Sequence, residues 1–459
     1  MSKSNKRARP LAPTDALDLA LAALSQNDPE GCLRRAVPAL TDVGAGAAAL
    51  DVVGRAAVAL GNMHLARMAF STAARALAIQ GQSSHAIASA VAVLRLSGGD
   101  ESALRELAAV FSSDAMRAGS DLSVAPPPLS STPVEALSQG VTRQELMNEA
   151  RKLVEAAREA QPESLPVRRR HALWASLTGD EFVRFARTLE VRLVPPGATV
   201  LREGERGSSV YVVARGEVRI ARARPSLKIV DAAVKERHPL PDELDELAVL
   251  GAEAVLGEMA LLTAAPRAAS ALSTRATLLL EAEREALEAA VAESPALGEV
   301  LLAWGRRRLV ENLLRTAPLL KAVPSSERGP LAEAFETRVF AAGETLFTQD
   351  TEAAGLFLLA SGEVEVHRQE GDANLVVGRI GAGGCVGEIS VVLRRPTNAT
   401  VIALEATVAL VLRPDHFLTV VRGHPTLLAS LYELAVSREE ELLDVLAAPS
   451  EEADDLIML

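Results

Sequence analysis

Residues 257–270 read GEMALLTAAPRAAS, an apolar turn that begins with Gly257 and Glu258 and ends just after Arg267. A glycine before a short helical segment lets several backbone N–H groups point at one anion, and the positive helix N-terminus adds to the attraction. The guanidinium of Arg267 can donate two charge-assisted hydrogen bonds to phosphate oxygens, while the Glu258 carboxylate can accept from ligand hydroxyls. This combination indicates a site for a nucleotide monophosphate.

The segment resembles the phosphate-binding cassette of the cyclic-nucleotide-binding domain family. That cassette reads Gly-Glu-Leu-Ala-Leu, then a short variable turn, then Pro-Arg-Ala-Ala and Thr or Ser, so Met259 is the visible departure. The resemblance implies that Glu258 holds the ribose 2′-hydroxyl and that Arg267 holds the cyclic phosphate. The ligand-binding residues predicted in this way are Gly257, Glu258, Met259, Ala260, Arg267, Ala268, Ala269 and Ser270.

Ala268 bears on which nucleotide binds. Family members that prefer cyclic GMP usually carry Thr or Ser directly after the arginine, and this chain has no hydroxyl there. The resemblance therefore favours cyclic AMP over cyclic GMP as the ligand. We expect no cofactor, and no metal either, since the two cysteines and the seven scattered histidines show no ligand spacing. The alternative is a barrel with the family's fold whose cassette no longer binds, because a fold alone does not fix a function.

The sequence around the cassette occurs twice, with short Val-rich segments between glycines that are typical of an all-β jelly roll. Gly197 recurs as Gly343, 146 positions later, whereas Gly257 recurs as Gly387 only 130 positions later. The first copy therefore contains 16 additional residues, which we place in the charged stretch 225–246. Because a long loop in a compact domain is usually functional or disordered, we expect this stretch to project without forming a barrel strand.

The second cassette reads GEISVVLRRPTNAT from residue 387 and differs from the first at one decisive position. It keeps Gly387 and Glu388, but Thr397 stands where the first copy has Arg267, so the phosphate-binding guanidinium is missing. We interpret the two arginines just upstream of this threonine as solvated surface charges. The sequence thus predicts a degenerate second site at Gly387, Glu388 and Thr397, in a barrel with a structural role.

The composition indicates several helix-rich domains in a reducing compartment. The chain has 459 residues, more than one hydrophobic core normally serves, and 49% of them are hydrophobic but only 3% aromatic. The formal net charge of −12 disfavours nucleic acid or an anionic membrane as a partner. Two distant cysteines, together with the lack of a signal peptide or a long apolar run, predict a cytoplasmic protein without a membrane span.

These patterns predict an α+β multidomain fold, in which an N-terminal α-helical repeat region precedes two jelly-roll barrels with flanking helices. The predicted segments are a tetratricopeptide-like helical domain (13–114), a Pro/Ser-rich linker (115–140), a connecting helix (141–171), a first cyclic-nucleotide-binding domain (172–316), a second, degenerate one (317–446) and an acidic tail (447–459). Since only the acidic tail follows the second barrel, direct DNA recognition is not expected.

The helical region repeats at close to the ~34-residue period of tetratricopeptide repeats. Its clearest match is the spacing of Met63, Ala66, Phe70 and Ala73, which resembles the second helix of such a repeat. Two interpretations remain open, a concave groove for a partner peptide and an Ala-rich domain that merely packs. We expect the Pro/Ser-rich linker to make this region an independent folding unit.

The connecting helix is predicted from a capping box, in which Thr142 is followed three residues later by Glu145. Its apolar side is narrow and carries Leu146, Leu153 and Val154. We expect this side to lie against the following barrel, with dimerisation as the alternative.

Tandem barrels with one competent pocket resemble, in architecture, the regulatory subunit of cyclic-AMP-dependent protein kinase, over residues 172–446. The resemblance implies a cytoplasmic sensor that couples cyclic nucleotide in the first barrel to a protein partner through the helical region. We expect no enzyme, because catalytic-triad, metal-ligand and Walker patterns are not recognised. The alternative is a ligand-independent scaffold with barrels as docking modules. A third interpretation is kinase inhibition through Arg169-Arg170-His171-Ala172-Leu173, which resembles a pseudosubstrate.

Overall fold

The computed structural model describes residues 11–114, 133–166, 171–223, 244–257, 267, 269–316, 331, 334–371 and 373–447. The chain divides into two compact units. The first comprises Met1–Arg202, Ser209–Gly257 and Ala269–Val300, and the second comprises Glu203–Ser208, Glu258–Ala268 and Leu301–Leu459. Within the described ranges, no helix is both long enough and apolar enough to cross a membrane.

The N-terminal region is a succession of helices, each packed mainly on the next. They are α1 (Pro13–Ser25), α2 (Pro29–Ala36), a 3₁₀ turn (Val37–Thr41), α3 (Gly46–Ala59), α4 (Met63–Ile79), α5 (Ser83–Leu96) and α6 (Ser102–Phe111). Asn62 caps α4 by accepting a hydrogen bond from the Leu65 N–H at 3.0 Å. Small residues such as Ala66 and Ala73 are fully buried, which allows the helices to approach closely. The repeat assignment itself stays a prediction.

The connecting helix begins where the sequence predicts, as α7 (Arg143–Glu159), but it ends well before residue 171, and Thr142 and Glu145 form the predicted capping box. Its buried residues, Leu146, Met147, Ala150 and Val154, belong to a face that packs on α2, α3, α4 and the 3₁₀ turn. The expectation that this helix lies on the following barrel is therefore wrong. The apolar face is instead buried against the preceding helical region, where Arg143 also donates to the Leu60 carbonyl at 2.7 Å.

The first barrel follows two short helices, α8 (Ala172–Ser176) and α9 (Gly179–Arg187). Its strands are β1 (Leu189–Val194), β2 (Thr199–Leu201), β3 (Ser209–Arg215), β4 (Val218–Ala223), β5 (Leu244–Leu250), β6 (Val255–Leu256), β7 (Ser270–Ser273) and β8 (Thr277–Glu283). Two helices come next, α10 (Arg284–Glu293) and α11 (Pro295–Thr316). The strands form two antiparallel sheets in the orders β1-β8-β3-β6 and β2-β7-β4-β5.

The second barrel repeats this architecture. Its strands are β9 (Glu336–Phe340), β10 (Thr345–Phe347), β11 (Leu356–Ser361), β12 (Glu363–Glu370), β13 (Ala373–Gly381), β14 (Cys385–Val386), β15 (Thr400–Ala403) and β16 (Thr407–Leu412). Its helices are α12 (Glu388–Leu393), α13 (Pro414–Gly423) and α14 (Pro425–Ala447). The sheet orders are β9-β16-β11-β14 and β10-β15-β12-β13, the first barrel's orders with eight added to each strand number. The predicted duplication is therefore confirmed.

Strand β16 shows how the second barrel is packed. Val411 packs inside the barrel with Phe357, whereas Leu410 faces the opposite layer, which includes Phe417 of α13. All six residues of the strand are buried, because both of its faces are covered. This explains why the strand reads as a continuous apolar run rather than an alternating one.

The helical region shares one compact unit with most of the first barrel, so the structure does not set it apart as the sequence predicts. Helix α5 packs on β3, β1 and β8. In addition, Asp18 of α1 accepts hydrogen bonds from Arg215 at 2.7 Å and from Arg275 at 3.0 Å. The Pro/Ser-rich stretch that suggested independence lies largely outside the described residues, at 115–132. Apolar and ionic contacts elsewhere in the sequence join the two parts.

The end of the stretch predicted to hold the insertion belongs to a barrel strand. Strand β5 begins at Leu244, and the β4–β5 ladder pairs Ala223 with Leu244 and Ala221 with Glu246. The expectation that 225–246 contributes no strand is therefore wrong for its last residues. The part that remains a candidate for a projecting loop, 224–243, lies outside the described residues.

Replacing residues 226–242 by a short turn is expected to leave the first barrel folded, since β4 and β5 already pair over their whole described lengths. Far-ultraviolet circular dichroism and thermal unfolding should match those of the parent chain. Loss of cooperative unfolding would show that the removed stretch belongs to the barrel.

Candidate functional site

The first cassette begins directly after β6. Gly257 has φ 76°, a left-handed conformation that glycine adopts without strain, and Gly387 has φ 83° at the matching position after β14. Glu258, Met259, Ala260 and Ala268 lie outside the described residues, so their predicted roles stay predictions. Ala269 directly precedes β7 and Ser270 begins it, which places the end of the cassette on a barrel strand.

Arg267 is held by the turn at residues 203–208. Its N–H donates to the Glu205 carbonyl at 2.9 Å, and its own carbonyl accepts from the Gly204 N–H at 2.8 Å. The residue is only 8% exposed. Arg267 is therefore a buried residue at the position where the sequence predicts the phosphate-binding arginine, and its role in binding stays a prediction.

Thr397 occupies the same backbone position in the second copy. Its N–H donates to the Thr351 carbonyl at 2.9 Å, and its carbonyl accepts from the Asp350 N–H at 2.7 Å. Its hydroxyl lies 2.6 Å from the Thr348 carbonyl and accepts from the Thr351 N–H at 3.0 Å. The side chain is thus committed to its own turn and offers no positive charge.

Gly207 is a site residue that the sequence reading missed. A Cβ at this position would overlap the guanidinium of Arg267, so only glycine leaves room for that side chain. The corresponding residue of the second copy, 146 positions later, is Ala353, which accompanies the shorter Thr397. The signal was present in the repeat alignment, because Gly207 and Arg267 are both replaced in the second copy, by Ala353 and Thr397.

Glu388 is engaged with helix α14. It is 3% exposed, and its Oε1 accepts from Arg438 Nη1 at 2.9 Å. The same nitrogen donates to the Cys385 carbonyl at 2.6 Å, and burial raises the pKa of the Cys385 thiol to about 12. Oε2 of Glu388 has no hydrogen-bond partner among the described residues. The retained glutamate therefore ties the second cassette to its C-terminal helix.

Arg394 and Arg395 are exposed, as predicted. Arg395 pairs with Glu439 at 2.7 Å, and this pair is largely in contact with solvent. Both arginines border a cleft of about 510 Å³ whose apolar side includes Phe417 and Leu418. Neither replaces the missing guanidinium at position 397, since that position is filled by a hydrogen-bonded threonine.

Thr397→Ala is expected to leave cyclic-nucleotide binding unchanged, because the second cassette already lacks its arginine. Stability should fall by about 0.5–1.5 kcal/mol, since the buried Thr397 hydroxyl no longer accepts from the Thr351 N–H. Calorimetric titration and urea unfolding would measure the two effects. Abolished nucleotide binding would place the ligand in the second barrel instead.

A buried charge cluster in the helical region was also missed. Asp51 is fully buried and accepts from Arg55 Nε at 2.8 Å and from Ser89 Oγ at 2.9 Å, with His85 Nε2 at 3.4 Å. Burial alone would raise the pKa of Asp51, but the Arg55 guanidinium and His85 hold it well below its ordinary value. Burial lowers the pKa of His85. The sequence does contain a signal for this cluster, since Asp51 and Arg55 are a charged pair four residues apart in an Ala-rich helix.

The pseudosubstrate interpretation gains no support from the residues that the structure describes. Arg169 and Arg170 lie outside them, Ala172 begins α8, and Leu173 is buried. Entry into a kinase cleft would require Leu173 to leave its core position.

The comparisons with known proteins agree with this architecture. The cyclic nucleotide-binding domain model matches residues 191–294 and 337–424. The cAMP-dependent protein kinase regulatory subunit of Mycosarcoma maydis is 29% identical over 237 residues, which cover 51% of this chain and 42% of that protein. The type II regulatory subunit of Drosophila melanogaster is 26% identical over 238 residues, which cover 52% of this chain and 56% of that protein. The chain spans about half the length of these curated relatives.

Among solved structures, the regulatory domain of Toxoplasma gondii PKA with cAMP is 23% identical and covers 59% of this chain and 92% of that one. Its TM-score of 0.27 adds no support, so the assignment rests on the sequence matches and on the repeated sheet order. The chain therefore carries two cyclic nucleotide-binding domains in tandem and is similar, over this half, to regulatory subunits of cAMP-dependent protein kinase.

Proposed function

We propose that this chain is a cyclic-nucleotide-responsive regulatory protein in which the first barrel binds cyclic AMP and the second barrel binds no cyclic nucleotide. One observation carries the proposal. Arg267 and Thr397 make the same two backbone hydrogen bonds to the turn beside them, but the first cassette has a buried arginine at this position and the second has a hydrogen-bonded threonine. A guanidinium can pair with a cyclic phosphate, whereas a threonine already bonded to carbonyls cannot.

The choice of cyclic AMP rests on the resemblance of the cassette. Glu258 would hold the ribose 2′-hydroxyl, and Ala268 supplies no hydroxyl for a guanine. The curated relatives are named for cyclic AMP, which supports the same ligand. Cyclic GMP is expected to bind more weakly.

The regulatory role requires a protein partner. The relatives are named as regulatory subunits of a protein kinase, so a kinase is the first candidate. The helical region is a second route to a partner, because it shares a compact unit with most of the first barrel. We assign no catalytic activity to the chain itself, and a cytoplasmic location stays a prediction.

Thermal unfolding of the full chain tests the proposal. A ligand that binds only the native state stabilises it by RT ln(1 + [L]/Kd), about 2.7 kcal/mol at one hundred times Kd. Cyclic AMP should raise Tm at lower concentrations than cyclic GMP. If neither nucleotide raises Tm at millimolar concentration, the scaffold interpretation takes the place of the sensor.

A further inference from the structure

Glu253 lies in the turn between β5 and β6 and has a backbone conformation that its residue type disfavours. Its φ is 70°, a left-handed conformation in which the side chain of a non-glycine residue crowds the backbone. The corresponding residue of the second barrel is Gly383, with φ 90°. The match is structural, because the Glu253 N–H donates to Val213 and the Gly383 N–H donates to Leu359, the same position of the two barrels. The first barrel thus keeps a glutamate where the second uses glycine.

The Glu253 side chain reaches the N-terminus of α5 in the helical region. Its Oε1 accepts from the Ser84 N–H at 2.9 Å, and its Oε2 accepts from the hydroxyls of Ser83 at 2.8 Å and Ser84 at 2.5 Å. The first turn of a helix has N–H groups without intrahelical acceptors, and Gln82 at the N-cap provides no side-chain cap. A carboxylate at this end also interacts favourably with the helix dipole. A barrel residue therefore caps a helix of the neighbouring region.

Ser84 connects this contact to a third element. Its hydroxyl accepts from Trp174 Nε1 at 3.1 Å, and both residues are fully buried. The Trp174 ring packs on Phe182 with the ring centroids 5.7 Å apart. The junction of Glu253, Ser84 and Trp174 thus joins helix α5, the β5–β6 turn and the helices that lead into the first barrel.

The same turn leads directly into the first cassette. After Glu253 and Ala254, the two residues of β6 pair with β3, and Gly257 follows at once. We propose that Glu253 is the residue through which the helical region and the first cassette influence each other. The second barrel, with Gly383 at this position, has no equivalent side chain. This inference rests on the proposed function, because it assigns the coupling to ligand binding in the first barrel.

The test uses the full chain with Trp304→Phe, which leaves Trp174 as its only tryptophan. Saturating cyclic AMP is expected to change Trp174 emission and to slow hydrogen exchange at the Ser84 amide. Glu253→Gly places the residue of the second barrel at this position without backbone strain. This variant should lose both responses, and its Kd for cyclic AMP should rise at least fivefold, because the coupling between two sites is reciprocal.

Asp18→Asn is the matched control, since it removes a different contact between the helical region and the first barrel, to Arg215 and Arg275. It should keep both responses. Glu253→Gln retains an acceptor for the Ser84 N–H and should keep part of the response. If the parent binds cyclic AMP by calorimetry while the Ser84 amide stays unchanged, or if Glu253→Gly still responds, the coupling is wrong. If the parent binds no nucleotide, the proposed function fails first and the coupling with it.

Discussion

Arg267→Ala is expected to weaken cyclic AMP binding at least tenfold. Charge-assisted hydrogen bonds contribute about 1.5–3 kcal/mol each, and about 1.4 kcal/mol already corresponds to a factor of ten. The loss of binding free energy should exceed the contribution of one hydrogen bond, because the substitution leaves a phosphate charge unpaired where the arginine is buried. Calorimetric titration of parent and variant with cyclic AMP measures the effect.

Arg395→Ala is the control for this substitution, because Arg395 belongs to the second cassette and is exposed. It should bind cyclic AMP like the parent. Gly207→Ala tests the same guanidinium without deleting it, since a Cβ there would displace the Arg267 side chain. It should also weaken binding. Unchanged binding in both Arg267→Ala and Gly207→Ala would remove the first cassette as the ligand site.

Asp51→Ala is expected to lower the free energy of unfolding by about 3–5 kcal/mol. Removing one partner of a buried ion pair leaves the other charge without compensation, which costs more than the pair contributes. Here Arg55 would remain, with its side chain only 12% exposed, and Ser89 would lose the shorter of its two hydrogen bonds. Urea unfolding followed by circular dichroism measures the difference.

The pair of Glu101 and Arg105 is a matched control, because it has the same spacing but an arginine that is 60% exposed. Glu101→Ala should cost less than about 1 kcal/mol, as exposed ion pairs usually do. Equal losses from the two substitutions would contradict the role assigned to burial.

The Asp51 cluster also gives the chain a defined response to acid. Its folded-state pKa lies below the unfolded value of about 3.9, so its contribution to stability is complete above that value and is lost as pH falls below it. Between about pH 5 and pH 2, the parent should therefore lose more stability than Asp51→Ala does. Parallel curves for the two chains would mean that Asp51 is not preferentially ionised in the folded state.

Much of the barrel architecture follows from local rules. Glycines at repeated spacing predict repeated turns, and Gly257 and Gly387 do adopt the same left-handed conformation. The helix start at Thr142 was also predictable, because a capping box needs only residues three positions apart. Such features depend on neighbours in sequence, so they can be read from sequence.

The wrong predictions concern which elements of the chain pack against each other. A narrow apolar face on α7 does not specify its partner, and it packs on the preceding helices rather than on the barrel. The Pro/Ser-rich linker suggested separation, whereas distant residues such as Asp18 and Arg215 join the two parts. Glu253 was missed for the same reason, since nothing near it in sequence indicates a helix N-terminus 170 residues away. These contacts are decided by tertiary packing.

The stoichiometry of cyclic AMP binding to the full chain tests the central claim most directly. Calorimetry should find one equivalent of cyclic AMP bound per chain, and Arg267→Ala should remove it while Thr397→Ala leaves it in place. Two equivalents, or one equivalent that survives Arg267→Ala and disappears in Thr397→Ala, would contradict the assignment of one competent and one degenerate barrel.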